Sequence, residues 1–436
     1  MAYLLNVVYL GLIALASPWL AWQAWRTGKY RDGWGAKFLG RVPSRSGSAK
    51  CLWLHAVSVG EVNLLAPLIE RWERLHPEWE IVISTTTQTG YQLAQKRYAP
   101  RSVFYCPLDF TWAVRRALRA VRPDLLVLTE LELWPNLIGA ARDVGAKVAV
   151  INGRLSEKSF RGYRRVEWLA GRVLGSLDLI AAQNDEYARR FLALGAPPTM
   201  VQVTGSIKFD GARTDRTNAD TQRLVHLAGI SANDIVFLAG STQEPEESLA
   251  LDAYQQLVPA HPALRLILVP RHPERFDAVA ELLNRRGVRW QRRSRLDADL
   301  ADPGARVLLV DAVGELGAWW GAAHIAFVGG SLGQRGGQNM IEPAAYAAAV
   351  SFGPNTWNFR DVVAQFLERG AAVVVKDGGA LAAFVRRCLD EPEFAANLGS
   401  RAQALVALQQ GAADRTIQLL SELAAGDRSR GTRHAA

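Results

Sequence analysis

The chain has 436 residues, too many for one ordinary core and suited to two α/β domains of about 180 to 200 residues each. With 49% hydrophobic and 21% charged residues it reads as globular, which excludes an extended disordered protein. A net charge of +9 favours anionic partners, and no nucleic-acid-binding module is recognisable, so a membrane surface or a phosphate-bearing substrate ranks before nucleic acid. The cysteines, Cys51, Cys106 and Cys388, stand singly, which is neither a disulfide framework nor a zinc pattern and points to a reducing compartment.

From Ala2 to Trp25 no side chain is charged, and the run LLNVVYLGLIALASPWLAW nears the roughly 20 apolar residues that span a bilayer. Arg26, Lys29, Arg31, Lys37 and Arg41 follow, opposed only by Asp32, a flank that holds the following domain in the cytoplasm. A membrane-anchoring helix over residues 1–27 is expected. The rival is a cleaved signal peptide with Ala14-Leu15-Ala16 as its cleavage site, but no Lys or Arg precedes the apolar run. Pro18 weakens a straight span and leaves room for a helix lying in the membrane plane.

Beyond the anchor, short apolar runs alternate with amphipathic stretches, the pattern of parallel sheets with crossover helices. Strands are expected at Cys51–His55, Ile81–Thr85, Ser102–Tyr105, Leu125–Leu128, Lys147–Asn152, Leu179–Ala182 and Val201–Thr204. Helices between them include Val62–Leu75, Gly90–Tyr98 and Trp112–Ala120. The segment His55-Ala-Val-Ser-Val-Gly-Glu61 puts Glu61 where a strand gives way to a helix. There it is either a general base for an attacking hydroxyl or a carboxylate that merely favours the positive end of its helix. Glu130-Leu-Glu132-Leu-Trp134-Pro135-Asn136 sets two carboxylates at a strand end before a Pro-started helix, facing a ligand or flanking the helix while Trp134 packs. Lys208, directly after a strand in Gly205-Ser-Ile-Lys208-Phe209-Asp210, either steadies a phosphate or developing negative charge or is solvated surface. The basic run Lys158–Arg172 meets lipid headgroups or substrate phosphates, or is a solvated helix face.

The polar segment Asp210–Asp220 separates an expected first domain, 28–212, from a second, 213–425. In the second, strands are expected at Ile235–Ala239, Arg265–Val269, Val307–Val310, Ile325–Val328, Ala349–Phe352 and Ala372–Val375. Helices include Glu246–Leu257, Pro273–Arg286 and a final Ser400–Ala425, before a tail over 426–436 expected to be disordered. Gly240-Ser-Thr242 before Pro245 and Glu246 offers backbone N–H groups to an anion. Arg271, in Pro270-Arg-His-Pro273, can grip phosphate with its planar fork. The richest segment, Gly329-Gly-Ser-Leu-Gly-Gln-Arg-Gly-Gly337-Gln-Asn339-Met-Ile-Glu342, is a glycine-dense loop leading into a helix near Met340, with Glu342 able to accept from ribose hydroxyls. No Asp-x-Asp or histidine pairing suggests a metal, no G-x-S-x-G suggests a nucleophile, and no cofactor is expected. A crevice between two such domains is a natural place for a ligand.

Taken in order, the apolar amino terminus, the basic Tyr30–Gly40 segment, HAVSVGE, ELELWPN, INGRLS, AAQN, GSIKFD, GSTQEPEE, VPRHPERF, VGEL, FVGGSLGQRGGQNMIEP and FGPNTWNF resemble the 3-deoxy-D-manno-octulosonate (Kdo) transferases over almost the whole chain. The resemblance implies a GT-B fold, two Rossmann-like domains facing a cleft with an amino-terminal anchor. It implies inverting transfer of Kdo from CMP-Kdo to a lipid A precursor at the bacterial inner membrane, with the catalytic domains on the cytoplasmic side. By it Glu61 is the base, and Glu130 and Lys208 stabilise the transition state. Pro270, Arg271, Val313, Gly314, Glu315, Asn339, Met340, Ile341 and Glu342 match the CMP-binding positions. Such enzymes commonly need no metal, because helix dipoles and basic side chains neutralise the leaving phosphate.

Some positions depart from the family pattern. Leu131 replaces the Thr of E-T-E, Gln243-Glu244-Pro245 stands for the His-Glu-Gly of S-T-H-E-G-E-E, and Gln338 replaces the His of G-G-H-N. Glutamine hydrogen-bonds but cannot become cationic, so the donor or the choice of sugar acid is where this chain can differ. The alternatives are another membrane-associated GT-B transferase with a different nucleotide sugar or lipid acceptor, and a catalytically dead binding protein. Retention of Glu61, Glu130, Lys208 and Arg271 speaks against the latter.

Overall fold

In the computed structural model, which describes residues 2–27, 32–297 and 300–426, the apolar runs form strands buried on both faces, as parallel strands flanked by helices are. Lys29 and Arg31 of the basic flank, and the tail from 427 onward that is expected to be disordered, lie outside the described residues. Two units divide the chain, one of Met1–Gly211 with the segment from Gln410 onward, the other of Ala212–Gln409.

The first unit holds β1 (Cys51–His55), β2 (Glu80–Thr85), β3 (Ser102–Tyr105), β4 (Leu125–Thr129), β5 (Lys147–Gly153), β6 (Leu179–Ala182) and β7 (Val201–Val203). They pair in parallel in the order β3-β2-β1-β4-β5-β6-β7. Chain direction across the sheet reverses between β1 and β4, and ligands of open α/β sheets bind beyond the carboxyl ends of strands at such a point. The second unit holds β8 (Ile235–Thr242), β9 (Leu264–Pro270), β10 (Trp290–Arg292), β11 (Val307–Leu309), β12 (Ile325–Val328), β13 (Ala349–Phe352) and β14 (Val373–Val374). Their order is β10-β11-β9-β8-β12-β13-β14, with the reversal between β8 and β12.

The sequence misses β10, an edge strand of Trp-Gln-Arg with no apolar run to reveal it. The expected final helix Ser400–Ala425 is also corrected. A helix Pro392–Gln409 ends before Gly411, whose φ is +85°, and a second, Ala412–Ala424, belongs to the first unit. Ala412, Ala413, Ile417 and Leu420 join the core formed by β1, β2 and β4, so the chain returns to the domain where it began. Asp210 caps that returning helix, accepting from the N–H groups of Gly411 (2.5 Å) and Ala413 (2.6 Å). Arg216 donates to the carbonyls of Tyr346, Gly321 and Ala323 at 2.7, 2.9 and 2.8 Å, which ties the middle of the polar Asp210–Asp220 segment into the second unit.

The helix Ala2–Thr27 is long and apolar enough to cross a membrane and is mostly exposed; Trp19, Trp22 and Trp25 near its carboxyl end face outward, as interfacial aromatics do. Two polar side chains dock it. Asn6 exchanges hydrogen bonds with Thr111, Nδ2 to Oγ1 at 2.8 Å and Thr111 N–H to Oδ1 at 3.1 Å. The Tyr9 hydroxyl donates to Asp109 (3.1 Å), whose carboxylate also accepts from the N–H groups of Asn136 (3.1 Å) and Leu137 (2.8 Å). Asp109 therefore caps the helix Pro135–Asp143, which leads directly out of the Glu130–Pro135 segment.

Candidate functional site

At the reversal in the first sheet, β1 ends in His55 and the chain turns through Ala56–Ser58 into the helix Val59–Leu75. The Val57 carbonyl accepts from the hydroxyls of Thr85 (3.2 Å) and Thr87 (3.0 Å), which pins the turn. Gly90 is required beside it, since a Cβ there would stand 2.6 Å from Thr85 Oγ1. Ser58 is the N-cap and Glu61 the N3 residue, a capping box. The Glu61 carboxylate is buried and held from three sides. Oε2 accepts from Val57 N–H (2.9 Å) and the Thr129 hydroxyl (2.7 Å), and Oε1 accepts from the Ser58 hydroxyl (2.9 Å). Thr129 closes β4, so the two strand ends that flank the reversal meet on this one carboxylate. Oε1 has a lone pair left for a substrate proton.

Glu130 follows with φ +57°, a left-handed backbone unusual for a side chain of its size and held by its N–H bond to the Ile151 carbonyl (2.9 Å). Its Oε1 lies 3.4 Å from Lys208 Nζ, both side chains being half-buried. Lys208 rides a short turn, Ile207–Phe209, whose first N–H donates to the Asn152 side chain (3.1 Å). Asn152, at the end of β5, also has a left-handed φ of +52°. Thr129 and Asn152 thus position the carboxylate and the lysine; Asn152 lies in the INGRLS segment, but no role is read for either from sequence beyond lying at a strand end.

Glu132 completes a group of three carboxylates. Its carboxyl is pushed from an ordinary 4.5 up to about 7, first by burial and then by the negative charge of Glu61, against the Trp134 indole N–H that it accepts at 3.0 Å. A carboxyl raised in the folded state loses its stabilising term as pH climbs from the unfolded value to the folded one. Wild type is therefore expected to lose stability relative to Glu132→Gln between pH 4.5 and about 7. Thermal melts of both at pH 5 and pH 8 check this: the advantage of the variant should widen with pH, and a constant difference contradicts it.

In the second unit, Arg271 follows β9, its N–H bonded to the Thr242 carbonyl (3.0 Å), and its exposed guanidinium has no hydrogen-bond partner among the described residues. Glu342 is the centre on which the separate segments converge. Asn339 donates to its Oε1 (2.9 Å), Arg271 acts on it electrostatically, and a Cβ added to Gly317 would lie 3.9 Å from Oε2. Burial pushes the Glu342 carboxyl up, opposed by Asn339 and Arg271. Met340 and Ile341 are fully buried, so their side chains pack in the core. In the Val313-Gly314-Glu315 turn, Gly314 has φ +95°, and the Glu315 carboxylate is held by Arg293 (2.8 and 2.7 Å) and the Trp319 indole (3.2 Å). The backbone of that turn, not the Glu315 side chain, is what remains for a ligand.

The anion cradle expected at Gly240–Thr242 and in the glycine loop is already filled. Glu246 is 1% exposed and accepts from the N–H groups of Gln243 (2.9 Å), Gly330 (2.7 Å), Ser331 (2.9 Å) and Leu332 (2.9 Å). A buried carboxylate takes the place that sequence would give a phosphate, because these donors would otherwise be orphaned.

Among known proteins, residues 32–211 match a family model described as 3-deoxy-D-manno-octulosonic-acid transferase (kdotransferase). A 3-deoxy-D-manno-octulosonic acid transferase of Haemophilus influenzae is 32% identical over 95% of this chain and 95% of its own. One of Bordetella pertussis is 34% identical over 94% of this chain and 97% of its own. The UDP-GlcNAc 2-epimerase of Neisseria meningitidis, solved with UDP-GlcNAc, superposes with a TM-score of 0.56 over 86% of this chain and 100% of its own, at 13% identity. That last likeness is one of fold.

Proposed function

The chain belongs to the 3-deoxy-D-manno-octulosonic acid transferase family, and from that premise we propose a membrane-bound inverting transfer of Kdo from CMP-Kdo to a lipid A precursor. The observation that carries the reading is Glu61, a carboxylate fixed by Thr129, Val57 and Ser58 at the sheet reversal with one lone pair open. As the acceptor hydroxyl oxygen bonds to the anomeric carbon, Glu61 takes its proton. The bond from that carbon to the phosphate breaks, and its electron pair leaves on CMP. Lys208, oriented by Glu130, offsets the negative charge that develops during transfer. Arg271, whose guanidinium has no hydrogen-bond partner among the described residues, grips the phosphate, and Asn339 with Glu342 holds the nucleoside.

The nucleotide choice has a direct test. CMP should inhibit transfer competitively with the donor while UDP does not; inhibition by UDP alone would point to a different nucleotide sugar.

The acceptor side suits an amphiphile. Arg164, Arg165 and Trp168 are exposed on the helices Glu157–Arg164 and Glu167–Leu174 and their junction, with Trp168 at 69%. Arginine and tryptophan together suit phosphorylated headgroups at a membrane interface. The anchor and its basic flank suit the inner membrane with both units on the cytoplasmic side. Deleting residues 2–25 is expected to move the protein from the membrane to the soluble fraction, while exposing Asp109 and Thr111. Tight membrane retention of the folded deletion would place the anchor elsewhere, first in Lys158–Arg172.

A further inference from the structure

Four consecutive N–H groups of the glycine loop are already bonded within the protein, Gly329 to the Gly240 carbonyl (2.9 Å) and Gly330, Ser331 and Leu332 to Glu246. At these four positions a ligand is therefore met by side chains and not by backbone N–H groups. Two carboxamides stand over it. A Cβ built on Gly330, whose φ is +65°, would lie 3.2 Å from Gln338 Nε2 and 3.6 Å from Gln243 Nε2, so both nitrogens reach one point. Both side chains are half-buried, and neither has a hydrogen-bond partner among the described residues.

Gln243 and Gly330 line a cavity of about 320 Å³ with His272, Arg275 and Arg335. Its two carboxylates are already engaged, Glu246 by backbone N–H groups and Glu244 by Arg275 at 2.9 Å, and Arg275 is itself held by Glu247 at 3.1 and 3.2 Å. Converging N–H donors beside the exposed Arg335 select a group that only accepts and carries negative charge. These are also the two positions, far apart in sequence, where the family pattern has His and this chain has Gln.

We propose that Gln243 and Gln338 form a specificity-determining pair that grips the carboxylate of the donor's sugar acid. The assignment rests on the transfer reading above. In an ulosonic acid joined to CMP, the carboxylate sits on the anomeric carbon that bears the phosphate, so both anions approach the same turn. Of the two, CMP carries the phosphate alone. Amides hold the carboxylate without adding a titrating charge, whereas imidazoles at the same positions become cationic as pH falls.

The test uses the full-length enzyme with Gln243→Met and Gln338→Met, near-isosteric changes that keep volume and remove the N–H donors. Each should raise KM for CMP-Kdo about tenfold or more, the scale of a lost hydrogen bond to a charged group. The inhibition constant of CMP should not change. The double variant should fall short of the product of the singles, because both amides hold one group. Gln243→His with Gln338→His restores the family pattern and serves if a Met variant does not fold. Its donor KM should drop from pH 8 to pH 6 relative to wild type. CMP affinity weakening in step with donor KM would assign the amides to the phosphate and overturn the proposal, as would an unchanged KM. Wild type that binds CMP yet turns over no CMP-Kdo would overturn the transfer reading itself, and this assignment with it.

Discussion

Glu61→Gln is expected to lower kcat by about 10²- to 10⁴-fold, the range that loss of a general base costs, with CMP affinity unchanged. The choice of Gln separates two roles that the structure gives the same side chain. Glu61 is the N3 residue of a capping box, where Gln is also favoured. Gln can still accept from Thr129 and Val57 and can donate to Ser58, so the turn and the helix start survive. It cannot take a proton from the acceptor. Glu61→Ala loses both roles and should add a destabilisation of about 1 kcal/mol, typical of a lost helix cap. Single-turnover kinetics and thermal melts on both variants divide the roles. Near-normal turnover in Glu61→Gln would leave the carboxylate as a helix cap and nothing more.

Glu246→Ala is expected to be strongly destabilising to the second unit. It orphans four backbone N–H groups, three of them on the glycine loop, and each unsatisfied buried donor costs about 1 to 3 kcal/mol. Partial relaxation and entry of water bring the sum to roughly 3 to 5 kcal/mol, comparable to breaking a buried ion pair. Glu246→Gln does little better, because its NH2 faces donors. Hydrogen exchange should show Gly330, Ser331 and Leu332 losing protection before the strands on either side, with donor affinity falling in parallel. Full protection of those amides in Glu246→Ala would contradict the view that this carboxylate builds the loop.

Much of the fold is legible because its strands are buried on both faces. Runs such as Leu125–Leu128 and Ile325–Val328 have no polar face to blur them, and β8 exceeds its expected end only because Gly240–Thr242 continue the ladder. What escapes is short or non-local. β10 pairs through its backbone with no apolar signature, and the return of Ala412–Ala424 to the first unit depends on Asp210, some two hundred residues earlier, supplying its cap. At the site, strand-end position singles out Glu61, Glu130 and Lys208, and the structure brings the last two into contact. Sequence cannot show that Thr129 ties Glu61 to β4 or that Asn152 sets the turn carrying Lys208, since both act through register between strands. Nor can it show that Glu246 fills the glycine loop, a bond between segments that read separately as two anion sites. The two glutamines at 243 and 338 read as independent departures until Gly330 is seen between them.

The central claim is tested most directly by incubating the purified full-length protein with CMP-Kdo and a lipid A precursor and weighing the lipid by mass spectrometry. A gain of one or more Kdo masses, with CMP released, is the predicted result. No gain from a protein that still binds CMP would contradict Kdo transfer and turn attention to another sugar acid or another lipid acceptor.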